Sequence, residues 1–249
     1  MQKTRLNSWA KVSQRLFGKR IKSIIRKIGT AIITPITMSI FTGHFRSSMT
    51  EKAVDCYGNP LPWLTYPAID FLSTRDFSDS VVLEFGGGQS TIYWSNRAEK
   101  VVTFEQDENW INYIKNSVKP NTYIYNAPET LKEQIEFVSE ILINLDQKYD
   151  LIIIDDMHRG EMFDLATQFL KKTGIIICDN AESYDFQKSW CKHPNLSRVD
   201  FYGHAPGVLH PHLTTMHFCA DSKFLRHDID IYPRAYGLKK MPSANFDNH

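Results

Sequence analysis

The sequence predicts a doubly wound α/β domain, a mostly parallel sheet with helices on both faces. Two observations predict it. Strand-length runs rich in Val and Ile alternate with longer stretches of helical character, and three consecutive glycines follow the first run directly. Strands covered on both faces read as continuous apolar runs because neither side meets water, and parallel neighbours need a helical crossover between them.

Strands are expected at 81–85 (VVLEF), 101–105 (VVTFE), 123–125, 151–155 (LIIID) and 174–179 (GIIICD), with helices between them at 90–95, 109–117, 129–145 and 161–171. After Asp179 the rhythm changes, and 198–202 with 213–220 read as a closing strand pair. Ahead of the first strand, 58–67 (GNPLPWLTYP) is rich in turn residues. Pro67 sits where a short helix over 68–72 begins, since its fixed φ and missing N–H suit a first helical turn. Trp63 and Tyr66 either close over a bound ligand or plug the core.

Charge divides the chain unevenly. Residues 1–50 hold ten Lys or Arg and no Asp or Glu, so the other 199 residues carry 19 basic against 28 acidic side chains. The acidic body is not expected to bind nucleic acid. In the arm, Trp9, Val12, Leu16, Phe17, Ile21, Ile24, Ile25, Ile28 and Ile32 recur at helical spacing with Lys and Arg between them. This predicts an amphipathic basic helix, broken near Gly18 and stopped around 29–35.

Three readings of the arm stay open. Residues 1–42 lie on an anionic membrane, or the Ile stripe docks on the body or on a second subunit of a homo-oligomer, or the segment is a presequence. The weakly charged stretch 28–45 holds Pro35 and two glycines and falls short of the roughly 20 apolar residues of a membrane span. No spanning helix and no export are expected. The cysteines Cys56, Cys178, Cys191 and Cys219 form no C-x-x-C pair, which fits a reducing, cytoplasmic compartment, peripheral to the inner face of the membrane if the arm binds it. The domain plan is therefore an arm and linker over 1–50, an α/β domain over 51–225 and a tail over 226–249.

In open α/β sheets a ligand sits beyond the carboxyl ends of the strands, so the residues ending each strand carry the chemistry. The first strand ends in Glu84-Phe85-Gly86-Gly87-Gly88-Gln89-Ser90. Glycines let the backbone approach a ligand closely, and the following helix start offers free N–H groups, to which Ser90 adds a hydroxyl. Glu105 ends the second strand nineteen positions after Gly86, a distance at which a carboxylate accepts both hydroxyl hydrogens of a ribose. Loop and acid together point to a nucleoside-containing cofactor. Glu84 would lie badly beside a pyrophosphate and well beside an ammonium, so a sulfonium cofactor is favoured over a dinucleotide.

On these residues the chain resembles the class I S-adenosylmethionine-dependent methyltransferases, with EFGGG over 84–88 standing as their first motif and Glu105 as the ribose acid. More narrowly, GNPLPWLTYPAIDFL, EFGGGQST, DLIIIDDMHRGEM, GIIICDN and RVDFYG resemble a bacterial family associated with polysaccharide and secondary-metabolite gene clusters. The resemblance covers roughly 43–220 and implies a Rossmann-like sheet of order 3-2-1-4-5-7-6. It further implies S-adenosylmethionine as cofactor and O-methylation of a sugar or small-metabolite hydroxyl. Asn126, after the third strand, would contact adenine.

In that strand order the ends at Asp155, Asp179 and Asn180 are neighbours, and their oxygens suit Mg²⁺. This resembles metal-dependent O-methyltransferases. Alternatively these residues cap helices or loops. Asp156 is a base, a ligand or a cap, and His158 is either the general base or a solvent-facing loop residue. Arg159 anchors an anionic substrate group or pairs with Glu161 or Asp164. His210, His212 and His217 lack the spacing of a zinc site. Two other function classes use the same loop and fold: a nicotinamide-dependent oxidoreductase, and a non-catalytic adaptor that docks through the arm.

Overall fold

The computed structural model of the protein describes residues 19–183 and 186–225. Trp9, Val12, Leu16 and Phe17 of the arm and the tail over 226–249 lie outside the described residues. The strands are β1 (Val81–Phe85), β2 (Lys100–Glu105), β3 (Thr122–Asn126), β4 (Tyr149–Ile154), β5 (Leu170–Cys178), β6 (Ser197–Gly203) and β7 (His212–Phe218). They form one sheet of order β3-β2-β1-β4-β5-β7-β6, the order the resemblance implies. The first five strands are parallel, and β7 enters antiparallel between β5 and β6.

The helices are α1 (Lys19–Phe41), α2 (His44–Thr50), α3 (Tyr66–Ser73), α4 (Gln89–Ser95), α5 (Glu108–Lys115), α6 (Leu131–Leu145), α7 (Arg159–Thr167) and α8 (Gln187–Trp190). The sheet has an apolar layer on each face. One gathers Leu61, Ile69, Phe77, Trp94, Val101 and Ile153, and the other Phe85, Phe104, Leu142, Ile152, Met162 and Phe163. Every residue of β1 and β4 is buried, as the continuous apolar runs require.

Two elements differ from the sequence reading. The helix expected over 161–171 ends at Thr167, and β5 begins at Leu170. The register of β4 against β5 shifts between Tyr149 and Leu151, so an irregular, half-buried piece of strand precedes the apolar run and carries Lys residues that read as helical. The arm helix also does not stop at 29–35. It passes through Gly29 and Pro35 to Phe41, although Pro35 has no N–H to give to the preceding turn. Within it, Ser23–Phe41 has a mean hydropathy of 1.4 and no buried residue, enough by length and composition alone for a membrane span. The sequence reading sets residues 28–45 aside for their apolar count, and the helix covers a different window that begins at Ser23.

After α1 the chain turns at Gly43 (φ +83), where an added Cβ would lie 2.4 Å from the carbonyl oxygen of Val54. Beyond that turn α2 is tied to the body: the buried Ser47 hydroxyl donates to Val54 O and accepts from Val54 N. Trp63 Nε1 donates to Pro206 O, and Tyr66 packs against the apolar core, so both pin the lead-in segment to the body.

Candidate active site

The parallel strands aim their carboxyl ends at one edge of the sheet, and there a cleft of about 620 Å³ opens. Gly86, Glu105, Gln106, Asp107, Glu108, Glu129, Asp155, Asp156, Met157 and Arg159 line it. Six of these side chains are carboxylates and one is a guanidinium.

The glycine loop forms the floor. Gly86 adopts φ +87, and an added Cβ would sit 2.1 Å from the carbonyl oxygen of Asp155, so only glycine fits between β1 and the end of β4. Gly88 has extended backbone, and an added Cβ there would meet nothing within 4 Å. Of the three glycines, then, the first is demanded by the protein and the third borders open space. Gly87 N donates to Glu105 Oε2 at 2.5 Å, while Gln106 N and Asp107 N donate to Oε1 at 2.8 Å each. Three backbone donors hold the Glu105 carboxylate in one orientation at the cleft wall.

Glu84 does not face the cleft. It is fully buried beneath the loop, where its carboxylate accepts hydrogen bonds from the hydroxyls of Ser90, Thr91 and Thr103. Burial pushes its pKa up to about 7 against the pull of these donors. The expected contacts of Glu84 and Ser90 with a cofactor are thus corrected: the two residues bind each other and brace the start of α4. Asn126 ends β3 beside Glu105 in register, but it is exposed and lies outside the cleft lining. The chain turns into α6 through Ala127–Thr130, and Glu129 takes the wall position that Asn126 was expected to hold.

At the ends of β4 and β5, Arg159 occupies the middle of the expected metal triad. Its Nη2 lies 2.7 Å from Asp155 Oδ1, and Nη1 donates to Asp179 O at 2.5 Å and to Asn180 Oδ1 at 3.1 Å. Nε completes the set by donating to Asp156 O at 2.7 Å. Asp179 turns its Oδ1 to the hydroxyl of Thr214 at 2.7 Å. Among the described residues no three His, Cys, Asp or Glu are grouped to hold a metal ion. The Mg²⁺ expectation for Asp155, Asp179 and Asn180 therefore does not fit: a fixed guanidinium pairs with Asp155 and takes up the side-chain oxygen of Asn180, while Asp179 Oδ1 is engaged by Thr214. Arg159 thus pairs with Asp155, a partner that neither sequence reading named.

Asp155 and Asp179 are both pushed toward the protonated form by burial, Asp155 further by the charges of Asp156 and Glu105 and Asp179 further by the charge of Asp155, with Arg159 opposing in both cases. Of the two, only Asp155 lines the cleft. Asp156 is a clamp. Oδ1 accepts from Met157 N at 2.5 Å and from Gln106 Nε2 at 3.2 Å, and Oδ2 accepts from the amide of Gln134 on α6. The buried carboxylate thereby ties the end of β4 to Gln106 and to Gln134 on α6. His158 precedes α7 with Nε2 3.3 Å from Glu129 O, a contact in which Nε2 must donate. It borders an adjoining depression with Glu161, Asp164 and Lys192, which shares Met157 and Arg159 with the cleft.

The three late histidines do not converge, as their spacing suggested. His210 is exposed, and His212 Nδ1 lies 3.0 Å from Glu182 Oε1. His217 is buried against Phe163 and Trp190, with its pKa pushed down to about 3 by burial.

Sequence reasoning missed Gln106, Asp107, Glu129 and Gln134. Gln106 and Asp107 follow the ribose acid directly, so extending the strand-end rule by two residues would have found them. Gln134 sits one turn into a long helix and carries no local mark of its partner Asp156.

No protein-family model matches the chain, and no curated protein does. Among solved structures it is similar to an O-methyltransferase from Bacillus cereus in complex with S-adenosylhomocysteine, at 14% identity and a TM-score of 0.49 over 79% of this chain and 97% of that one. It is similar to a precorrin-6y C5,15-methyltransferase from Geobacter metallireducens, at 15% identity and 0.47 over 62% and 87%. It is also similar to a spermidine synthase from Thermotoga maritima, at 18% identity and 0.45 over 74% and 70%.

Proposed function

We propose that the chain is an S-adenosylmethionine-dependent methyltransferase that modifies a hydroxyl of a sugar or other small metabolite. One observation carries the reading: the cleft at the strand ends joins an oriented ribose-binding carboxylate, Glu105, to a wall of five further acids whose only cation, Arg159, is already paired. Such a cleft repels the pyrophosphate of a nicotinamide dinucleotide and attracts a ligand with a positive sulfur and an ammonium. The cleft, about 620 Å³, also has room for such a ligand.

When bound, S-adenosylmethionine supplies an electrophilic methyl group. The chain's own residues do the rest. Glu105 accepts the ribose hydroxyl hydrogens while the backbone of Gly86–Gly88 supports the adenosine side. Asp155, a third exposed and held by Arg159, faces the cleft with a raised proton affinity and is the group placed to take a proton from an acceptor hydroxyl. Acidic walls offer hydrogen-bond acceptors to a polyol, which supports a saccharide-like substrate.

Calorimetric titration of the full chain with S-adenosylhomocysteine and, separately, with NAD tests the reading. Binding of the first and not the second is expected, followed by methyl transfer to a hydroxylated acceptor from a panel of free sugars and phenols. Binding of NAD alone would make the chain an oxidoreductase. Binding of S-adenosylhomocysteine without turnover on any acceptor would leave it an adaptor.

A further inference from the structure

The acidic body and the active-site reading leave α1 unexplained. It is 23 residues long, about 35 Å at the rise of an α-helix. At 100° per residue Ile24, Ile25, Ile28, Ile32, Ile33, Ile36 and Ile40 share one broad face, and each is 53–58% exposed. The opposite face carries Arg26, Lys27, Thr30, Thr34 and Thr37. Thr30 Oγ1 donates to Arg26 O and Thr37 Oγ1 to Ile33 O, both at 2.9 Å, so these hydroxyls are satisfied inside the helix and seek no protein partner. Phe41 falls on the threonine side, and beyond α1 Phe45 and Met49 add exposed apolar surface on α2, with Met49 70% exposed.

An apolar face of this size, left in water, demands a cover. Charge identifies it. Lys19, Arg20, Lys22, Arg26 and Lys27 fall in the first nine residues of α1, and no acid occurs anywhere in residues 1–50. A docking face on the acidic body would gain equally from those charges, yet none of Ser23–Phe41 is buried against it. We infer that α1 is a membrane-binding helix that lies in the plane of an anionic bilayer, Ile face in the acyl boundary and basic residues among the headgroups.

Ser23–Phe41 is long enough to cross a bilayer, so the position of the charges decides between lying in it and crossing it. Only Ile28–Phe41 of the helix is free of charge, and those residues reach about 21 Å against a hydrocarbon core of about 30 Å. A crossing orientation would also bury the threonine face in lipid tails, whereas the in-plane orientation leaves it at the headgroups.

Co-sedimentation of the full chain with vesicles of phosphatidylcholine, with and without phosphatidylglycerol, tests this. The chain is expected to pellet with the anionic vesicles and to be released in part by about 0.5 M salt, which shortens the screening length to a few ångströms. The triple variant Ile28→Asp, Ile32→Asp, Ile36→Asp is expected to lower the partition coefficient at least about tenfold. Its unfolding temperature should match wild type, because these side chains touch no core. Washing bound vesicles with alkaline carbonate should release the protein. Three results would overturn the inference: a chain that stays in the supernatant, a triple variant that binds as wild type does, or carbonate-resistant retention, which would make α1 a span. A dimer that the triple variant dissociates, with no vesicle binding, would assign the Ile face to a second copy instead.

Discussion

Gly87 N and Glu105 Oε2 are 2.5 Å apart, so the loop after β1 and the acid ending β2 are locked to one another across a parallel strand pair. The carboxylate is therefore oriented before any ligand arrives, and little side-chain entropy remains to be lost on binding.

Glu105→Ala removes a charged acceptor and the tether of the loop together. S-adenosylhomocysteine affinity should fall by about 1–3 kcal/mol, roughly 5- to 150-fold, as for loss of hydrogen bonds to a charged group. Calorimetry reads this directly, and an unchanged Kd would remove Glu105 from the site.

Two glycines make opposite predictions. Gly86→Ala forces a Cβ onto Asp155 O at a positive φ and should cost at least about 1–3 kcal/mol in urea unfolding. Gly88→Ala meets no protein atom, so stability should stay within about 0.5 kcal/mol of wild type while cofactor affinity drops. Equal stability losses at both positions would contradict the open space assigned to Gly88.

Glu84 gives a pH signature. Its pKa rises from an ordinary 4.5 to about 7 on folding, so the folded state holds a proton that the unfolded chain has lost. The stability this provides is complete below pH 4.5 and disappears as pH climbs through 7. Glu84→Gln should thus show a flatter dependence of unfolding free energy between about pH 5 and 8 than wild type. Parallel curves would mean that the carboxyl is ionised throughout.

Neighbouring aspartates should separate by function. Asp156→Ala orphans the amides of Gln106 and Gln134 and should cost about 1–3 kcal/mol of stability. Asp155→Asn should keep the fold and slow methyl transfer about 10²- to 10⁴-fold, with little change in cofactor affinity. If Asp156→Asn proves the slower enzyme at equal stability, the roles of the pair are reversed.

Much of this molecule was legible in its residues because burial on two faces leaves a one-dimensional trace. VVLEF and LIIID could only be central parallel strands, and the glycines and Glu105 marked the cleft by position. The direction in which a strand-end side chain points was not legible. Glu84 faces inward because Ser90, Thr91 and Thr103 offer it hydroxyls, and two of those three donors lie on the following helix while the third lies on the adjacent strand. Arg159 was misread for a similar reason: its partners lie 3 and 4 positions back and 20 and 21 positions ahead along the chain, whereas the sequence reading looked along its own helix to Glu161 and Asp164. The helix runs on past Gly29 and Pro35 to Phe41, although both residues read locally as stop signals.

The guanidinium between Asp155 and Asn180 has a physiological corollary. A divalent ion in that position would come and go with its supply and would vanish before a chelator. An arginine is installed when the chain folds and cannot be exchanged, so the charge balance at this corner of the protein is independent of cellular metal levels.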